Sequence, residues 1–133
     1  MTAEEYLQSY QKKETIIANK RIERKRKLEQ ATDITSKLTE VKVKSSSNKQ
    51  KVAAAAINCA AIDKQIEKLE SEMQEIINTI EKLPELQYDI LHKRYIQYWT
   101  MDEIAESRNY SKSWVEKTHR KALDAVESLL NSA

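Results

Sequence analysis

Lys112, Lys117, Arg120 and Lys121 recur along one short helical segment, with Ser113, Trp114 and Glu116 among them. These residue types at this spacing could do one kind of chemistry: contact with the phosphates and base edges of a DNA duplex. The segment 100–123, TMDEIAESRNYSKSWVEKTHRKAL, reads as two short helices joined by a tight turn. Thr100 is a good N-cap, and Asp102 and Glu103 follow where the helix dipole favours negative charge. Ile104 is placed to face the partner helix, and Ala105 is small enough to let the two cross closely. Asn109 stands at the turn, since asparagine tolerates the left-handed conformation better than other non-glycine residues. Ser111 caps the second helix and Val115 returns to its inner face. Positions 112, 113, 114, 116, 117 and 120 then point outward, as insertion into a major groove requires. Any two amphipathic helices with a polar turn share the bare pattern, so the elements around it decide its meaning.

A helix-turn-helix needs a third helix to close its core, and LPELQYDILHKRYIQYWT (83–100) supplies one through Leu86, Ile90, Leu91, Tyr95 and Ile96. With no glycine and a single proline in 133 residues, the chain lacks tight glycine hairpins and phosphate-cradling loops, and an all-α fold is expected. Residues 52–83 carry the cleanest periodicity: Val52, Ala55, Cys59, Ile62, Ile66, Leu69, Met73, Ile76, Ile80 and Leu83 alternate three and four apart. That is a coiled-coil seam, and Ile62, Ile66, Leu69, Met73, Ile76 and Ile80 are the expected oligomerisation residues. Ile57 and Ile77 widen the apolar face beyond one neighbour, so both a first helix folded back as a hairpin and a symmetry mate are expected. Pro84 ends this helix, since it disfavours helical geometry at Leu83 and cannot donate.

Residues 39–47 read as an exposed loop reversing the chain, with room for a short unpartnered strand at 41–43. The expected organisation is therefore a helical coiled-coil region over 1–83, with helices at about 4–38 and 48–82, followed by a helix-turn-helix domain over 84–133.

The net charge of +2 is unevenly spread: residues 1–51 are basic, 52–83 are acidic, and 84–133 are nearly balanced. KRIERKRK (20–27) has two readings, a basic helix on DNA phosphates through residues such as Arg24 and Lys25, or a solvated segment facing the acidic stripe of the next helix. A lone Cys59 excludes an internal disulfide and fits a reducing cytoplasm. The polar start MTAEEYLQSY argues against a signal peptide. The longest apolar run, VAAAAINCAAI (52–62), falls well short of a membrane span. His92 and His119 are the only histidines, and no Cys or acidic cluster stands at metal-ligand spacing, so neither metal nor cofactor is expected. Glu67, Glu70, Glu72 and Glu75 form a solvated face, no nucleophile–base set can be assembled, and the chain reads as a non-enzyme.

The stretch 86–130, with its LHKRYI, TMDEIA, Ser111 and KAL elements, resembles region 4 of sigma-70 family factors. It is closer still to small phage and prophage regulators related to the ArpU and RinA late activators. ATDITSKL (31–38), VKSSS (43–47) and the Tyr110–Ser111 to His119–Leu123 pattern resemble an uncharacterised phage-protein family with a helical N-terminal half. The resemblance implies that Lys112, Ser113, Trp114, Glu116 and Lys117 match base- and phosphate-contacting positions, with Trp114 open to a thymine methyl contact or to packing within the domain instead. Arg108 and Thr118 occupy slots that are usually apolar, and Trp114 and Glu116 stand where arginine is common, so the docking mode carries over and the sequence read does not. Nothing resembles the core-binding region 2 of a sigma factor.

The expected function is a dimeric, sequence-specific regulator of phage or prophage transcription, cytoplasmic in a bacterial host. Its partners would be double-stranded DNA and, by analogy, host RNA polymerase. Ser111, Lys112, Ser113, Trp114, Glu116, Lys117, Arg120 and Lys121 form its DNA face, with Thr100, His119, Arg24 and Lys25 as further phosphate contacts. The alternatives are a small-terminase-like packaging protein, which would assemble rings, and a protein-only adapter that has lost DNA binding.

Overall fold

The structure, a computed structural model, describes residues 1–40 and 45–132, and side chains over 1–31 and 49–132. It is all-α: α1 (Ala3–Glu40), α2 (Ser45–Glu81), α3 (Glu85–Leu91), α4 (Met101–Arg108) and α5 (Lys112–Asn131), with no strand among the described residues. α3 runs on through a π-helical turn, His92–Ile96. Residues 39–40 and 45–47 of the expected loop are helical; the suggested strand at 41–43 lies outside the described residues.

Local chemistry sets the helix ends. α1 opens on a capping box in which Glu5 N–H donates to Thr2 Oγ1 and Thr2 N–H to Glu5 Oε2, both at 3.2 Å. α2 tightens at its end, with Lys82 and Leu83 N–H bonding back to the Thr79 and Ile80 carbonyls, and Pro84 then stands as the N-cap of α3.

Packing divides the chain into two compact units, a head (Met1–Glu14 with Ser71–Ala133) and a hairpin (Thr15–Glu70). By packing, residues 1–14 and 71–83 thus group with the C-terminal segment, whereas the sequence places all of 1–83 together.

The head has two apolar clusters. In the first, Ala3 and Leu7 of α1 and Ile76 and Ile80 of α2 meet Leu91, Tyr95, Ala122 and Val126, flanked by Tyr6, Tyr10, Leu83 and Leu130. In the second, Ile90, Ile104, Ala105 and Val115 join α3, α4 and α5, covered by Trp99, Met101 and Trp114. Neighbouring Ile90 and Leu91 therefore serve different clusters, which seats α3 between the helix-turn-helix and the ends of α1 and α2 that belong to the head.

In the hairpin unit α1 and α2 run antiparallel. Arg24 Nε donates to Asp63 at 2.8 Å, Arg21 to Glu70 at 3.0 Å and Lys20 to Gln65 at 2.6 Å. Ile17, Ala31, Cys59, Ile62 and Ile66 are buried there. Helix α1 thus pairs with α2 of the same chain. Of the residues expected to join two chains, Ile62 and Ile66 are buried in the hairpin and Ile76 and Ile80 in the head; Leu69 and Met73 are half-buried. Much of the seam from Cys59 to Ile80 is thus buried within the chain, while Val52 remains 41% exposed.

Candidate nucleic-acid interface

The turn between α4 and α5 follows from its sequence. Thr100 caps α4 in a full capping box: Thr100 Oγ1 accepts from Glu103 N–H at 3.2 Å, and Glu103 Oε1 from Thr100 N–H at 3.1 Å. That hydrogen bonding, backbone first, holds the fully exposed Glu103 carboxyl below its ordinary pKa. Asn109 lies at φ 59°, ψ 36°, in the left-handed region. Its N–H bonds the Glu106 carbonyl and Tyr110 N–H the Ala105 carbonyl, the two bonds of a Schellman motif. Ser111 then opens α5, its Oγ accepting from Trp114 N–H at 3.1 Å. Two helices are thereby held at a fixed angle without a glycine.

Along α5, Val115 is buried while Lys112, Ser113, Lys117, Arg120 and Lys121 are exposed and Glu116 is half-buried. These side chains lie on or beside one solvent face of the helix, with Ser111 exposed at its start. Lys112 Nζ sits 3.6 Å from Asp102, an exposed pair that a phosphate could displace. Trp114 is different. It packs on the second apolar cluster, its ring centroid 4.2 Å from that of Tyr110, with the rings tilted 32°. A side chain so engaged covers the core, and Tyr110, 42% exposed, is the aromatic more available to a ligand.

The two unusual slots have physical explanations. Thr118 Oγ1 donates back to the Trp114 carbonyl at 3.0 Å, so its hydroxyl is satisfied on the helix itself. Arg108 Nε donates to Asp89 Oδ2 at 2.9 Å and lies 3.7 Å from Glu85, tying the end of α4 to α3 by charge where an apolar contact would otherwise serve. Lys93 donates to the same Asp89 oxygen at 2.9 Å and stands 5.2 Å from the Trp99 ring centroid. Partial burial alone would raise the Asp89 carboxyl, but the hydrogen bonds and charges of Lys93 and Arg108 outweigh it and hold the pKa below the ordinary value. Sequence reading missed this cluster. Only the Asp89/Lys93 spacing of four was visible; Arg108 reaches Asp89 through the tertiary fold.

Replacing Asp89 by Ala leaves two cations without their shared acceptor, and the expected loss is about 1–3 kcal/mol in urea unfolding. Because the folded pKa is lowered, that contribution is complete above the ordinary carboxylate range and fades as pH falls through the Asp89 value.

The further phosphate candidates are already engaged within the chain. The Thr100 hydroxyl is in the capping box, and Arg24 is bound to Asp63. Lys25 is exposed and lies 3.9 Å from Glu29. His119 is half-buried, its Nε2 2.8 Å from the Tyr95 hydroxyl and its ring stacked on that tyrosine at 5.7 Å. Burial raises Tyr95 to about 12, which keeps its hydroxyl protonated and able to donate to a neutral His119. Burial and the charge of Arg94 push His119 below 6.5, against the pull of Glu4. The unfolded chain therefore takes up the proton first. Stability is expected to be level above about 6.5 and to fall as pH drops through the lowered folded value. Melting curves across pH 5–8 should show that slope, and His119→Gln should remove it.

The loop from Gln97 to Trp99 contains a second left-handed residue, Tyr98 at φ 64°. A bulky side chain is strained there. It is retained because the Tyr98 hydroxyl donates to Glu14 at 2.5 Å and Arg94 Nη1 donates to the Trp99 carbonyl at 3.1 Å. Among the described residues no group of His, Cys, Asp and Glu could hold a metal ion, and no helix is long and apolar enough to cross a membrane.

Residues 79–127 match the model of the family described as Sigma-70, region 4. The match starts in the last turn of α2 and takes in α3, α4 and most of α5, so a sigma-70 region 4-like helix-turn-helix is present in this chain. None of the curated proteins and none of the solved structures compared with the chain matches it.

Proposed function

We propose that this protein is a dimeric, sequence-specific DNA-binding regulator of phage or prophage transcription that reads DNA through the head's α4–α5 pair. The observation that carries the reading is the exposed row Lys112, Ser113, Lys117, Arg120 and Lys121 on the second helix of a region 4-like helix-turn-helix. In that geometry the second helix enters the major groove and the first crosses the backbone. Lys117, Arg120 and Lys121 anchor phosphates. Lys112, Ser113 and Glu116 lie over base edges, where a glutamate accepts from cytosine N4. Trp114 acts from behind, fixing the angle at which α5 is presented. Region 4 domains bind RNA polymerase as well as DNA, which makes the host enzyme a second partner.

The test is a pull-down of fragmented phage and host DNA by the purified protein, read by sequencing, with Lys112→Ala/Lys117→Ala beside it. Enrichment of a few sites upstream of a gene block, lost in the double variant, is the expected result. Equal recovery by the variant would move the contact away from α5, and no recovery by either would remove DNA binding from the function.

A further inference from the structure

The hairpin unit has an open groove of about 540 Å³ along one side. Its walls are Arg21, Arg24, Lys25 and Leu28 of α1 and Asp63, Ile66, Glu67 and Glu70 of α2. Two helices cannot enclose a core by themselves, and Leu28 remains 39% exposed beside Ile66. The charge arrangement is specific: one rim is basic and the other is acidic. Arg24 meets Asp63 and Arg21 meets Glu70, and Lys25 and Glu67 both lie midway along the groove on opposite rims. Neither Lys25 nor Glu67 makes an ion pair across the hairpin among the described residues; Lys25 pairs only along its own helix with Glu29.

We infer that this groove is the dimer interface and that its occupant is the same groove of a second copy. Two such faces can be stacked by a two-fold axis in only two ways. An axis across the hairpin lays α1 over α1 and sets Arg21, Arg24 and Lys25 against their own copies, a juxtaposition of like charge. An axis along the hairpin lays α1 of one copy antiparallel over α2 of the other at the same level, so each basic rim meets an acidic one. Charge selects the second arrangement, an antiparallel four-helix bundle with an isologous interface in which Lys25 faces the partner's Glu67 twice. The opposite side of the hairpin does not qualify. Its groove is lined by Lys27, Gln30, Ala31, Lys51, Ala54, Ala55 and Asn58 and has no acidic rim among the described residues, so the same stacking would set no basic rim against an acidic one. The selected axis also places residues 15 and 70 of both copies at the same end of the bundle, and its two-fold symmetry matches that of a palindromic site.

This specifies the dimer of the proposed function, and its test needs no DNA, so the two readings can fail separately. The mass of the full chain is measured by light scattering over a range of concentrations for wild type, Lys25→Glu, Glu67→Lys and their equimolar mixture. Neither substitution breaks a cross-hairpin pair, and helicity by circular dichroism verifies that each variant is folded. Wild type is expected to be dimeric, with dissociation raised tenfold or more in each variant alone. The mixture, and the doubly substituted Lys25→Glu/Glu67→Lys chain, should regain wild-type dimerisation. A monomeric wild type, a ring of higher order, variants that dimerise as wild type does, or a mixture that stays dissociated would each overturn the assignment.

Discussion

Leu7→Ala is expected to cost about 2–5 kcal/mol of unfolding free energy and, with it, retention of DNA at 37 °C. Leu7 has no exposed surface and packs with Ile76, Ile80, Leu91 and Val126. Truncation removes buried methyl groups and leaves a cavity in a cluster joining four helices, with little room to collapse. The effect should reach α5 because Ala122 and Val126 stand on that helix, with Val115 on the other side of it in the second cluster. The first fourteen residues are then as much a part of the head as the helix-turn-helix is. A fragment beginning at 84 should be far less stable than the whole chain, as urea unfolding of the two would show. If Leu7→Ala unfolds as wild type does, the N-terminal turns of α1 do not support the head.

Lys112→Ala/Lys117→Ala should weaken binding to a recovered site by tenfold to a hundredfold at moderate salt without altering the helicity of the free protein. Both side chains are exposed and neither belongs to an apolar cluster, so the loss is one of ligand contact. Each phosphate contact contributes about 0.9 to the slope of log affinity against log salt concentration, so with Lys117 on a phosphate and Lys112 over base edges the double variant should lose about 0.9 from that slope. A loss of affinity with an unchanged slope would mean that neither Lys112 nor Lys117 reaches a phosphate. Trp114→Phe should behave in the opposite way: binding is kept at low temperature and the melting temperature falls, because the ring covers Ile90, Ile104 and Val115.

How much of this was legible depended on the range of each interaction. The caps at Thr100 and Ser111 and the left-handed Asn109 are settled within three or four residues, and such chemistry can be read from the chain. The stripe from Cys59 to Ile80 was equally plain as a pattern. Its partner was not, since a three-and-four repeat says that a face is buried and does not say against what. The basic run at 20–27 is the same case. Lys20, Arg21 and Arg24 bond Gln65, Glu70 and Asp63, which favours the reading of a helix facing an acidic stripe.

By itself, then, the sequence determined an all-α chain, the ends of its short helices and the presence of a region 4-like turn, because helix propensity, capping and periodicity act over a few residues. Only the tertiary structure decided that residues 1–14 close the core under α5, that Arg108 finds Asp89, and that Trp114 turns inward while Tyr110 remains partly exposed. Those outcomes depend on which surfaces meet across long stretches of chain, and burial and desolvation set the energy of that meeting, which no local spacing encodes.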